Sequence, residues 1–353
     1  MKNKIEIIQP DDWHVHFREG EMLKAITHYS SRINKRCIAM PNTEIPITNS
    51  IKAEDYRAEI KKNSKSDNFE ILIPCYLTEN LDLYDFKQAL ERNIFIGAKL
   101  YPTNATTNSS FGVSKIENIY PALEILEKKN KILLIHGEKI RQDIDIFDRE
   151  KYFIDGELQQ IRNKFKELRI VLEHVSTSDG IDFVKSNKNM GGTITPHHML
   201  ITKKDVFINN SINPHHFCMP VVKNELDLLA LRKAACYENK KFFLGTDSAP
   251  HHINQKTPNI TTKPGIFTAT CSIELYASIF EEEGAINNLE TFSSINGPKF
   301  YNLPINDNHI ILSREEWIVP EYIEKGKIKV KNFHGGKKLN WKVKHLKYRK
   351  KIK

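Results

Sequence analysis

His14 and His16 stand one residue apart behind a short apolar stretch. Along a strand, residues i and i+2 point to the same side, so two imidazoles so spaced can hold one metal ion. Taken alone, such a pair equally fits packing or the capping of a turn. The rest of the set changes the reading. Lys99, His136, His174 and Asp247 each close a separate apolar, β-branched run. Imidazole and carboxylate donors without thiolate favour zinc, with manganese or cobalt as substitutes. The five cysteines (Cys37, Cys75, Cys218, Cys236, Cys271) are scattered and form no Cys-x-x-Cys. That usage suits a reducing cytosol and offers neither a disulfide framework nor a thiolate zinc motif.

Lys99 needs its own account. An ammonium that ends a buried strand is costly and cannot ligate a metal. Burial and neighbouring cations push such an amine toward its neutral, nucleophilic form. Two outcomes follow, a Schiff base with a carbonyl substrate or a carbamate formed with carbon dioxide. The histidine and aspartate set tilts the choice to the carbamate, whose two oxygens can bridge two metal ions. Such pairs generate hydroxide at neutral pH.

The elements that must position these residues are short apolar runs alternating with amphipathic stretches. Strands are expected over 36–40, 69–76, 95–100, 131–136, 169–174, 192–195 and 241–247, with a first strand just before His14. Between them lie helical patterns such as Pro121–Lys128. Near-continuous apolar strands alternating with helices imply a parallel sheet, and eight of them in 353 residues imply an α/β fold, the (β/α)8 TIM barrel. An open doubly wound sheet is the runner-up, but its Gly-x-Gly-x-x-Gly turn is absent. In such a barrel, chemistry gathers at the C-terminal strand ends, where His14, His16, Asn42, Lys99, His136, His174 and Asp247 fall. A single barrel domain is expected over residues 1–344, followed by a basic tail over 345–353.

With these segments assembled, the chain resembles the class II dihydroorotases of the amidohydrolase superfamily. The resemblance rests on Asp11-Asp12-Trp13-His14-Val15-His16-Phe17-Arg18, Met40-Pro41-Asn42-Thr43, Lys99-Leu100-Tyr101-Pro102-Thr103-Asn104-Ala105-Thr106-Thr107-Asn108-Ser109-Ser110, His136-Gly137-Glu138, Glu173-His174 and Gly245-Thr246-Asp247-Ser248-Ala249-Pro250-His251. It runs from about residue 5 to residue 344, and the stretch after Lys99 is its most specific part. The resemblance implies reversible cyclisation of N-carbamoyl-L-aspartate to L-dihydroorotate in pyrimidine biosynthesis. It also implies two Zn2+ per subunit, bridged by hydroxide and by Lys99 as N6-carboxylysine formed with CO2 or bicarbonate. One metal would take His14, His16, Lys99 and Asp247, the other Lys99, His136 and His174. Asp247 would also move the proton between hydroxide and the departing nitrogen.

By the same resemblance Arg18, Asn42 and His251 hold the substrate carboxylate, and His136 and the backbone of Met219 contact the substrate. Thr106 and Thr107 belong to a lid over 103–112. Pro264 falls near a further contact, in a region where the cysteine-rich stretch of many relatives is missing. A homodimer is the family's usual state. Two readings compete with this one: another cyclic-amide hydrolase such as a dihydropyrimidinase or hydantoinase, and a non-catalytic dihydroorotase-like subunit.

Composition sets the outer limits. Hydrophobic residues make up 40% of the chain and charged residues 27%, which is ordinary folded material. No stretch approaches the ~20 apolar residues of a membrane-spanning helix. The first residues lack the apolar core of an export signal, so a cytoplasmic enzyme is expected. The formal charge of +9 is uneven: Lys325–Lys353 holds thirteen basic and no acidic residues, leaving −4 on the other 324. A body so mildly acidic does not read as a nucleic-acid surface.

Overall fold

The protein is represented by a computed structural model that describes residues 3–347 except 210, 238, 239 and 260, with only the chain path given for 345–347. Eight parallel strands form its centre: β1 (Asp11–Val15), β2 (Arg36–Ala39), β3 (Glu70–Leu72 and Cys75–Tyr76), β4 (Gly97–Leu100), β5 (Ile132–Ile135), β6 (Arg169–Leu172), β7 (Met190–Ile194) and β8 (Phe242–Leu244). Pro74, which has no N–H to give, splits β3, and Ile96 N–H bridges the gap by donating to the Ile73 carbonyl. Val15 pairs with Ser248 just past β8, which closes the ring. The expected (β/α)8 barrel is therefore present, with helices such as Ser50–Asn63, Leu83–Glu91 and Tyr120–Lys128 around it.

Alternation within the strands sorts side chains to the two faces. Leu133 and Ile135 join the large core between barrel and helices, while Ile132 and Leu134 join an interior cluster with Trp13, Ile38, Met40, Val171 and Phe243. Trp13 stacks on Tyr301 with ring centroids 4.2 Å apart, so the barrel interior is filled beneath the mouth. Lys99 lies in register with Leu134. At Gly97 a Cβ would come within 2.2 Å of the Ile132 carbonyl oxygen, so the approach of β4 to β5 requires glycine there.

One layer was not anticipated from sequence. Lys4–Ile8, His309–Ile318 and Lys338–Lys347 form an antiparallel sheet, with a hairpin of Tyr322–Lys325 and Ile328–Lys331 beside it. The last strand runs three residues past the expected boundary at 344; residues 348–353 of the expected tail lie outside the described residues. The basic run is also not a bare cationic surface. Lys329, Lys331, Lys338 and Lys342 pair with Glu324, Glu321, Glu316 and Glu315 at 2.6–3.4 Å.

Candidate active site

The C-terminal strand ends converge on a cleft of about 320 Å³. His14, His16, Arg18, Asn42, Thr106, Thr107, His136, His174, Met219, Asp247 and Pro264 all line it. Lys99 is fully buried, and its amine meets the Glu173 carboxylate. His251 stands beside the cleft, in contact with Arg18 and Pro264. All of the residues singled out in the sequence are thus brought together here, although they are spread from His14 to Pro264 along the chain.

Turns at the strand ends aim several of these side chains. Arg18, His174 and Asp247 have φ of 59°, 41° and 44°, a left-handed conformation that non-glycine residues rarely hold. Holding it costs about 1–3 kcal/mol per residue, which the surrounding bonds must offset. Asp247 N–H donates to the His14 carbonyl at 3.0 Å, and His174 N–H to Thr193 Oγ1 at 2.7 Å. The Asp12 carboxylate ties β1 to the end of β8, accepting from Thr246 N at 2.9 Å and Thr246 Oγ1 at 2.6 Å. Its burial raises the Asp12 pKa to about 6.

The donor geometry fits a metal ion. His14 Nε2 and His16 Nε2 lie 3.2 Å apart, and both face Asp247 Oδ1, at 3.3 and 3.1 Å. A triangle of this size matches the edges of a coordination shell with bonds of about 2.0–2.1 Å. Nearby, the rings of His136 and His174 have centroids 4.8 Å apart, and His174 Nδ1 is buried with no hydrogen-bond partner. Burial lowers the pKa of all four imidazoles, His16 to about 3, so they are neutral lone-pair donors. Burial likewise holds the Lys99 amine well below the usual lysine range, the state in which an amine attacks carbon dioxide.

Carboxylates stand behind two of the histidines, and one of them, Glu138, is hydrogen-bonded to its ring. Glu173 Oε1 is 2.9 Å from His14 Nδ1, and Glu138 Oε2 is 2.7 Å from His136 Nε2. Both glutamates are fully buried. Sequence reasoning gave neither a role, although each is adjacent or nearly adjacent to a histidine in the motifs quoted. Tyr101 was also missed: it lines the cleft, and its hydroxyl has no partner.

The other side of the cleft carries a guanidinium and several polar atoms without partners. Arg18 Nε donates to the Pro250 carbonyl at 3.0 Å, while Nη2 lies 3.1 Å from His251 Nε2. Among the described residues no carboxylate forms an ion pair with it. Asn42 Oδ1, Thr107 Oγ1 and the Tyr101 hydroxyl are buried without partners. The 103–112 segment lies over the site, joined to Asn42 by two bonds: Asn42 Nδ2 donates to Thr107 O at 2.9 Å, and Asn108 Nδ2 to Asn42 O at 3.1 Å.

Comparison with known proteins agrees with this geometry. The amidohydrolase family model matches residues 7–306. A dihydroorotase of Aliivibrio fischeri is 45% identical over 341 residues, covering 96% of this chain and 99% of that protein. A crystal structure of dihydroorotase from Saccharomyces cerevisiae in complex with 5-fluoroorotic acid superposes with a TM-score of 0.92 at 30% identity, covering 99% of this chain and 100% of the other. A dihydroorotase structure from Campylobacter jejuni does so with a TM-score of 0.89 at 33% identity, covering 98% of both chains.

Proposed function

The chain belongs to the amidohydrolase family and, within it, to the dihydroorotases; from that premise we propose how its own residues carry out the interconversion of N-carbamoyl-L-aspartate and L-dihydroorotate in pyrimidine biosynthesis. The observation that carries the substrate assignment is Arg18, a guanidinium facing the cleft with no carboxylate of the described residues paired to it. A ligand carboxylate completes that site through the planar fork of the guanidinium.

The enzyme depends on metal. We assign one ion to His14, His16, Lys99 and Asp247, and the other to Lys99, His136 and His174, with Lys99 as N6-carboxylysine made from CO2 or bicarbonate. Zinc, two ions per subunit, suits this donor set, with manganese or cobalt able to replace it. When bound, the metals polarise the amide or carboxyl carbonyl and supply hydroxide at neutral pH.

The protein's own part is binding, orientation and proton movement. Arg18, Asn42 and His251 take the substrate carboxylate, and the Met219 and Pro264 backbones close the other wall. Thr106 and Thr107 cover the ring from the lid and exclude water. In ring opening, Asp247 accepts a proton as general base and returns it to the departing ring nitrogen. In cyclisation it takes the proton from the ureido nitrogen. Glu138 keeps His136 in the tautomer that leaves a lone pair toward the site, and Glu173 sets its charge beside His14. A cytoplasmic homodimer completes the proposal; among the described residues no helix is long and apolar enough to cross a membrane.

The test is dihydroorotate ring opening, followed by loss of ultraviolet absorbance, with dihydrouracil as the substrate that lacks the carboxylate. Turnover of dihydroorotate alone, abolished by chelation and by Lys99→Ala, is the expected result. Turnover of dihydrouracil in preference would assign the chain to the hydantoinase type instead. Turnover that survives Lys99→Ala would remove the carbamate bridge, and none from zinc-loaded, bicarbonate-treated protein would point to a non-catalytic subunit.

A further inference from the structure

Outside the catalytic cleft, one group of side chains has metal-site chemistry that the reaction does not use. His197 and His198 follow β7, and Cys218 precedes Met219 in a later loop. A donor atom from each lies within 4.8 Å of the other two, and exposures are 0%, 2% and 1%. Both ring nitrogens of His197 are buried with no hydrogen-bond partner. An imidazole always carries a proton or a lone pair at each nitrogen, so this ring has been stripped of water with nothing in return.

The other two side chains converge on one oxygen. His198 Nε2 is 3.0 Å and Cys218 Sγ 3.2 Å from the Pro220 carbonyl, and His198 Nδ1 lies 2.7 Å from Thr195 Oγ1. Two weakly acidic donors therefore share an acceptor beside an unpartnered imidazole. The thiol sits in an apolar cluster with Phe217, Val221 and Phe333, and burial pushes its pKa up. As a free thiol it is inert; a bound cation is what would ionise it.

We propose that His197, His198 and Cys218 form a third metal site, thiolate-containing and separate from the catalytic pair, for Zn2+ or a similar borderline-soft divalent cation. On binding, Cys218 releases its S–H proton to solvent and His198 shifts its ring proton from Nε2 to Nδ1, where Thr195 Oγ1 accepts it. His197 contributes a lone pair and needs no proton change. One thiolate and two imidazoles match the preferences of zinc. Because Met219 lines the catalytic cleft next to Cys218, occupancy would stiffen the wall that the substrate touches. The proposal does not depend on the substrate assignment.

The test is a Co2+ titration of the protein holding its two catalytic metals, read by absorbance and by metal content in mass spectrometry. A sulfur-to-cobalt charge-transfer band is diagnostic, since no thiolate belongs to the catalytic set. One further equivalent with that band, both lost in Cys218→Ser while the first two metals stay, is the expected outcome. His197→Asn should weaken the third equivalent at least tenfold, and it supplies the variant if Cys218→Ser does not fold. Wild-type protein that binds two equivalents only, gives no sulfur band, or keeps the band in Cys218→Ser would overturn the proposal.

Discussion

Glu173 Oε1 sits 2.9 Å from His14 Nδ1, and the other oxygen of the same carboxylate meets the Lys99 amine. One buried side chain thus touches two groups assigned to the same metal ion. A carboxylate in that place sets its negative charge beside Nδ1 of His14, while Nε2 faces Asp247 at 3.3 Å on the metal side. Replacing Glu173 by Ala should lower metal affinity by roughly 10- to 100-fold, with Gln separating the loss of charge from the loss of the side chain. Metal content after dialysis against graded chelator measures this directly. Unchanged affinity in the Ala variant would reduce Glu173 to packing.

In the reaction proposed above, Arg18 takes the substrate carboxylate. Truncation to Ala removes a charge-assisted contact worth about 1.5–3 kcal/mol, so kcat/KM for dihydroorotate should fall roughly 10- to 150-fold. Lys restores charge but not the two-pronged geometry, and should recover only part of the loss. Steady-state kinetics with both variants check the ranking; equal activity of Ala and wild type would place the carboxylate elsewhere.

The two hydrogen bonds that join the lid to Asn42 are neutral ones. Asn108→Ala deletes the bond to the Asn42 carbonyl while leaving the cleft lining intact. One such bond contributes about 0.5–1.5 kcal/mol, so lid amides over 103–112 should exchange roughly 2- to 12-fold faster. Hydrogen exchange with mass spectrometry reads the change, and unaltered exchange would show that the latch lies elsewhere.

The foot of the lid carries a pH dependence. Glu79 accepts from the Ser114 side chain and backbone, the Lys115 backbone and the Asn118 side chain, and these bonds lower its pKa from 4.5 to about 2. The folded state therefore binds its proton less readily than the unfolded chain. The stabilisation is complete above about pH 4.5 and drains away as pH falls toward 2. Urea unfolding of wild type and Glu79→Gln should show a stability gap at pH 6 that narrows by pH 3. A gap independent of pH would contradict the assignment.

Most of the barrel could be read from sequence because parallel strands are buried on both faces and appear as continuous apolar runs, as in Ile132–Ile135. The polar residue that ends each run then marked the mouth, which is why His136, His174 and Asp247 were found without knowledge of the fold. The antiparallel layer escaped because its strands are amphipathic: Lys338–Lys347 alternates lysine with apolar residues and resembles a solvated terminus until its glutamate partners on His309–Ile318 are seen. Glu173 and Glu138 escaped for a different reason. A glutamate beside a histidine has no signature until the third dimension turns it behind the ring. His197 was legible only as one histidine among many; its unmet nitrogens are a property of packing.

The pairing of the C-terminal lysines with glutamates also bears on how an anion finds the mouth. A formal charge of +9 suggests a molecule that draws dianionic metabolites from a distance. Yet the surplus is uneven: the 324 residues before Lys325 sum to −4, and four of the positive charges, Arg349, Lys350, Lys351 and Lys353, fall in the last six residues of the sequence. At physiological ionic strength such a concentrated charge fades over about 8 Å. With Arg18 as the proposed short-range anchor of the carboxylate, the association rate should be nearly indifferent to salt, unlike the retention of the protein on a cation-exchange resin.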